Sequence, residues 1–256
     1  MNSRRYSKFL AGLVTSLILF SLFINPALAI AGFTTRASIA SNGTQGDGFS
    51  SYPSISADGR YVAFTSDASN LVVGDTNGFS DVFVHDNWTD QTIRVSIAAN
   101  GTQGNSYSRG TSISADGRYV AFTSSANNLV TGDTNGQEDV FVYDQESGQT
   151  TLVSVKSDGS QQNQSSSSRP FISSSGRYIV FESHFLTSNC GWAQIFIHDM
   201  QTAETMCVSV NSSGVQGNGI SNASSVSADG RYVTFGCVSF ELKGDQTAKG
   251  NRLYLE

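Results

Sequence analysis

One string governs what this chain can become. SISADGRYVAFTS stands at 54–66 and again, residue for residue, at 112–124, a spacing of 58. ISSSGRYIVFES at 172–183 and SVSADGRYVTFG at 225–236 are imperfect copies. Three further elements keep step with it. DVFVHD (81–86) returns as DVFVYD (139–144), QIFIHD (194–199) and RLYLE (252–256). RASIA (36–40) returns as RVSIA (94–98), LVSV (152–155) and CVSV (207–210). An Asn/Asp/Ser-Gly-x-Gln group follows each of these, at 42–45, 100–103, 158–161 and 213–216. A chain built this way is an array of like units, each covering its neighbour's apolar face.

No helical period runs through a unit. RYVAF and DVFVH are short runs rich in Val, Phe and Tyr, bounded by Gly, Asp, Asn and Ser, which is the pattern of strands. Asp58-Gly59, Asp116-Gly117 and Asp229-Gly230 sit before such a run, where Gly supplies positive φ at low cost and closes a tight hairpin. The first unit therefore reads as strand A near 53–57, B at 60–66, C at 81–85 and D at 92–97. In strand B, Val62 and Phe64 face one way and Tyr61 and Ala63 the other. Both faces are apolar, so both must be covered. Radial stacking of four-stranded sheets does this in a β-propeller.

The Ser-x-Asp-Gly-Arg-Tyr-Val-Ala-Phe core resembles the TolB-like propeller repeat, and the resemblance covers about residues 35–256. It departs from that family where Ala57, Ala115 and Ala228 (Ser174 in the third copy) replace the usual Pro. The units also exceed the roughly 40–45 residues of common propeller repeats. The expected fold is all-β, a propeller of four four-stranded blades, with units at about 53–97, 111–155, 171–210 and 224–256. Strand 35–40 is expected to complete the last blade, which makes a monomer. The competing readings are a fragment of a larger propeller, or two chains joined as a dimer.

The N-terminus reads as an address. Arg4, Arg5 and Lys8 precede an apolar run at 9–24, then Asn25-Pro26 and the small-x-small site Ala27-Leu28-Ala29. This order predicts a signal peptide over 1–29, and a periplasmic or secreted chain over 30–256. The apolar run of 16 residues is short of the ~20 a membrane-spanning helix needs. Beyond residue 29 the chain holds 12 basic against 21 acidic residues. That surface repels nucleic acid, so nucleic-acid partners are excluded.

In a four-stranded meander the long B–C and D–A loops emerge at one end, where a binding surface would form. Asp75-x-Asn77-Gly78-x-x-Asp81 and Asp133-x-Asn135-Gly136-x-x-Asp139 resemble the middle of a calcium loop, with oxygen ligands at alternate positions and a Gly at the bend. An earlier Asp and a final Glu are missing. The competing reading of the six residues is Asx turns leading into strand C. Ca²⁺ is the one cofactor these residues suggest. The D–A loops, rich in amides, suit either glycan or peptide recognition or plain solvated turns.

Catalytic signals are sparse. His85 and His198 share a repeat position with Tyr143, which marks scaffold more than a general base. His184, with nearby Glu182, breaks the repeat and is where an enzyme reading would start. Arg60, Arg118, Arg177 and Arg231 recur before strand B, either as an anion ring or as buttresses of the Asp-Gly turn. Trp88 and Trp192 suit sugar stacking or edge covering. Cys190, Cys207 and Cys237 allow one disulfide with one thiol over, or three unbonded thiols. These readings predict an exported, non-enzymatic scaffold or binding module. The resemblance implies protein interaction at the cell envelope, and the loops add a glycan as the other partner class. The alternative is a polysaccharide-degrading enzyme of the periplasm.

Overall fold

The structure is a computed structural model that describes residues 34–161, 167–184, 193–211, 213–216 and 219–237. Within these the chain is all β. Three four-stranded antiparallel meanders follow one another: β1(Ser50–Ile55) to β4(Gln91–Arg94), β5(Ser108–Ile113) to β8(Gln149–Leu152), and β9(Ser167–Ile172) to β12(Glu204–Cys207). The inner pairs are β2(Tyr61–Ser66) with β3(Asp81–Asp86), β6(Tyr119–Ser124) with β7(Asp139–Asp144), and β10(Tyr178–Ser183) with β11(Gln194–Asp199). A fourth sheet contributes β13(Ser221–Val226) and β14(Val233–Cys237) among the described residues.

Each meander has the same turn between its first two strands. In the first, Gly59 takes φ of 75°. Asp58 Oδ1 accepts from Ser56 Oγ (2.6 Å) and from the Arg60 N–H (3.0 Å), so the turn's polar groups are met locally. In the third repeat Ser175 stands in for the Asp and meets Ser173 Oγ at 3.1 Å. Out of this turn β2 pairs with β3 residue for residue, Tyr61 opposite Asp86 through Ser66 opposite Asp81.

Among the described residues the second and third sheets are sandwiched between neighbours, as the two-sided apolar pattern requires. Ala63, Val82 and Val84 of the first sheet pack with Val120, Phe122 and Phe141 of the second. Ala121, Val140 and Val142 of the second pack with Ile179, Phe181 and Phe196 of the third. Val180, Ile195 and Ile197 of the third pack with Val226, Val233 and Phe235 of the fourth. A polar seam runs beside each core: the Ala57 N–H donates to the Ala115 C=O (2.9 Å), and the Ala115 N–H to the Ser174 C=O (3.0 Å). Like sheets standing face to face, with their A strands inward, form a β-propeller arrangement. Ile55, which meets no preceding sheet among the described residues, is 60% exposed, whereas Ile113 in the same repeat position is 7% exposed.

Strand A starts and ends earlier than expected, Ser50–Ile55 against 53–57. Strand D is shorter, Gln91–Arg94 against 92–97. Beyond Arg94 the Val95 N–H still donates to the Val82 C=O (2.8 Å), and a side chain then takes over: Ser96 Oγ accepts from the Val82 N–H (3.1 Å) and donates to Asp81 Oδ1 (2.5 Å). The expected strand at 35–40 is not a ladder strand in its described part. Ile39 makes an isolated bridge to Gln45, and its C=O accepts from Thr92 Oγ1 of β4 (2.5 Å). Ile97 meets Thr150 of the second sheet in the same way. Residues around Ile39 thus lie where a connection between sheets lies elsewhere. The last strand of the final blade, expected at 252–256 and the one they were to join, lies outside the described residues. So do the signal peptide over 1–29, Cys190 and Trp192. Among the described residues no helix is long and apolar enough to cross a membrane.

Candidate functional site

Each acidic loop closes on a buried point within its own repeat, and the two repeats fill that point differently. In the first, Asp75 and Asp81 both lie against Arg94, with Nη1 at 3.0 Å from Asp75 Oδ1 and 3.3 Å from Asp81 Oδ2. Gln103 Oε1, from the following D–A loop, accepts from the same Nη1 at 3.0 Å. A guanidinium therefore occupies the place between these carboxylates. Asn77 is an Asx-turn residue: its Oδ1 accepts from the Phe79 N–H (3.0 Å), while Nδ2 donates to Asp81 Oδ2 (2.9 Å). Its oxygen thus serves the turn and not a ligand. Burial pushes the Asp75 carboxyl up, reinforced by the Asp81 charge, and Arg94 pulls the other way.

In the second repeat Leu152 stands where Arg94 stood, opposite Phe141 in the ladder as Arg94 is opposite Phe83. Asp133 and Asp139 remain, joined by the Gln161 amide, whose Nε2 lies 3.4 Å from Asp133 Oδ1 and 3.1 Å from Asp139 Oδ2. Asn135 Oδ1 again accepts from a backbone N–H, that of Gln137 (2.8 Å). Burial pushes Asp139 up to about 7; the Ser154 hydroxyl bond opposes this and the Asp133 charge adds to it. Asp133 is pushed up by its own burial. In the third repeat Gln194 replaces the last Asp and accepts from Ser209 Oγ at 2.5 Å.

A second site lies at the centre. A cavity of about 470 Å³ is lined from all four A strands, by Tyr52, Gly110, Arg169 and Asn222 among others. Arg109 pairs with Glu138 (2.8 Å) and Arg169 with Glu182 (3.1 Å) at its wall, and His184 reaches it. The A strands bulge here, with register shifts between Ser51 and Ser54 and between Arg109 and Ser112. Tyr52 (φ 49°), Gly110 (68°) and Arg169 (51°) share one left-handed backbone position. A non-glycine residue there costs of order 1 kcal/mol or more, and such outliers cluster where side chains are aimed at ligands. Immediately before β1 and β5, Phe49 and Tyr107 are exposed, and Tyr107 packs edge-on to Phe79 at 4.9 Å. Low strand propensity around Ser50 and Ser51 hid this part of strand A from pattern reading; the repeat-breaking Glu182 and His184 were its one visible trace.

The remaining recurrent polar residues are engaged in the scaffold. Arg60 binds Asp86 through Nε (3.0 Å) and Nη2 (2.7 Å) and lies 4.6 Å over the Tyr61 ring. Arg118 with Asp144 and Arg177 with Asp199 repeat the pair. Their guanidiniums also cover Tyr119 and Tyr178. These three arginines answer carboxylates at the ends of β3, β7 and β11 and form no anion ring. Arg231 stacks on Tyr232, and Glu256, the last residue of its repeat, lies outside the described residues. Trp88 joins the first cluster at 4.8 Å from the Arg60 guanidinium. His85 and His198 bond Thr92 and Thr205 at 2.9 and 2.8 Å, and burial lowers both imidazoles.

The arginine bonds hold Asp86, Asp144 and Asp199 at about 2. A carboxylate with a depressed folded value favours the fold above its unfolded value near 3.9, and that contribution fades as pH falls toward 2. Stability is therefore expected to drop between about pH 4 and 2, and Asp144→Asn should flatten that slope. Urea titrations at several acid pH values read it; an unchanged slope in the variant rejects the assignment.

No protein-family profile matches the sequence, and no curated protein matches it. Several solved structures are similar to the chain. TolB from Acinetobacter baumannii is 15% identical, aligned over 80% of this chain and 43% of that one, with a TM-score of 0.45. An oligogalacturonate lyase in complex with manganese is 14% identical over 72% and 45%, TM-score 0.46. The β-propeller domain of the Trilobed protease from Pyrococcus furiosus is 14% identical over 64% and 43%, TM-score 0.39. This chain spans less than half the length of each of the three.

Proposed function

We propose that the chain is an exported, non-enzymatic binding propeller whose partner is a protein or glycan of the cell envelope. The axial cavity carries the reading. Its walls combine two Arg–Glu pairs with Tyr52, and Phe49 and Tyr107 stand exposed just before β1 and β5. Aromatic faces beside fixed charges suit an amphipathic ligand, a sugar chain or a peptide segment. The signal-like segment over 1–29 supports export. The repeat-conserved Arg, Asp and His side chains hold sheets together, which supports a scaffold.

One observation favours the enzyme reading: Glu182 and His184, from the same strand end, line this cavity. A single panel separates the two. Titrating neutral and acidic oligosaccharides and purified envelope proteins by calorimetry should find a binder, weakened about tenfold or more by Tyr52→Ala. Unchanged affinity in that variant removes the cavity as the site. Release of new reducing ends from a polysaccharide, lost in Glu182→Gln and His184→Ala, replaces the non-enzymatic reading with a lyase or hydrolase.

A further inference from the structure

Repeat one and repeat two build the same oxygen-lined point and differ in what neutralises it. In repeat one, Asp75, Asp81 and Gln103 all direct oxygen at one guanidinium nitrogen of Arg94. Repeat two keeps Asp133, Asp139 and Gln161 and has Leu152 in place of the arginine. Leu152 packs on the apolar core instead. The two carboxylates are left with a neutral amide between them.

That leaves a charge problem. Asp133 is 7% exposed and Asp139 is fully buried. Asp139 Oδ1 accepts from Ser154 Oγ (2.5 Å) and Oδ2 from Gln161. Asp133 Oδ2 is buried with no hydrogen-bond partner. Asn135 adds its side chain to Asp139 and its backbone N–H to Asp133, but every one of these donors is neutral. A buried carboxylate oxygen without a donor is expensive, and two carboxylates with no counter-charge raise the cost. Repeat three removes the problem differently, with neutral Gln194 at the Asp139 position. Repeat one thus adds a guanidinium and repeat three replaces the second carboxylate by an amide, whereas repeat two keeps both carboxylates with no cation between them.

We infer that repeat two binds one hard divalent cation, of the Ca²⁺ class, between the carboxylates of Asp133 and Asp139. Carboxylate oxygens from a loop and from the start of the strand that follows it are what such an ion takes, with water completing the shell. Among the described residues the site is specific to repeat two, because Arg94 already holds the equivalent place in repeat one. It stands independently of what the axial cavity binds.

The test uses the full chain, stripped with chelator and titrated with CaCl2. Calorimetry should give one equivalent per chain, and the melting temperature should rise by roughly 5–10 °C at a hundredfold excess over Kd. Asp133→Asn should abolish both. Leu152→Arg, which supplies the guanidinium that repeat one has, should also abolish the calcium response while raising the melting temperature without calcium. If Asp133→Asn fails to fold, Leu152→Arg alone decides. The inference falls if about 10 mM CaCl2 gives neither heat nor shift, if NaCl at equal ionic strength gives the same shift, or if the folded variants respond like the parent.

Discussion

Phe141→Ala is expected to destabilise the chain by about 3–5 kcal/mol, among the largest single-residue losses available to it. Phe141 is fully buried in β7 and lies 5.8 Å from the Phe122 ring, in a cluster that joins the first sheet to the second. Cutting the ring to a methyl group removes contact with both sheets at once. The backbone cannot close the void, because β7 is tied on both sides, to β6 and β8. Urea denaturation should show a lower midpoint with the slope unchanged. A loss under about 1 kcal/mol would mean that the sheets do not rely on this core for their association.

A paired prediction isolates the contact between successive sheets. Gly117 and Gly59 occupy the same turn, with φ of 77° and 75°. A Cβ on Gly117 would sit 2.1 Å from Tyr61 Cδ2, whereas a Cβ on Gly59 would meet nothing within 4 Å. Gly176 and Gly230 repeat the Gly117 contact, with Tyr119 and Tyr178. The left-handed backbone costs Ala roughly 1 kcal/mol in either turn. Displacing the Tyr61 ring adds about 1–3 kcal/mol in Gly117→Ala alone, since Arg60 covers that ring and limits its retreat. Gly117→Ala should therefore lose about 2–4 kcal/mol and Gly59→Ala about 1 kcal/mol. Melting curves of the two variants give the comparison. Equal losses would show that the tyrosine-on-glycine contact does not set the spacing of the sheets.

The paired variants also mark where pattern reading works. The Asp-Gly turn, the strand that follows it and the need to cover both its faces were all legible, because each is a local requirement. A positive φ calls for Gly, and alternation of apolar side chains shows which faces are buried. That Gly117 must also be Gly for the sake of Tyr61 is a contact across 56 positions, and no local pattern reveals it. The Arg60–Asp86 pair is similar. Both residues recur in step, yet only the antiparallel register of β2 and β3 places Asp86 beside the start of β2.

The acidic loops show the same division. Their composition pointed to a cation, and the six residues were visible as two matching sets. Which set keeps an open charge depended on residue 94 or 152, on a strand well beyond the loop, and on the amide of Gln103 or Gln161 from the next connection. The axial cavity was still less visible. It arises where four bulged strands from four repeats approach, and the residues that turn into it, Tyr52, Gly110 and Arg169, have no chemistry in common.

By itself, then, the order of residues determined the period, the strands, the turns and the two-sided packing that makes an array of sheets, since those follow from the backbone preferences of a few neighbouring residues. Tertiary structure alone decided which charges are answered and which are not. Neutralisation inside a protein depends on distances of a few ångströms between groups far apart along the chain, and only the stacked sheets set those distances.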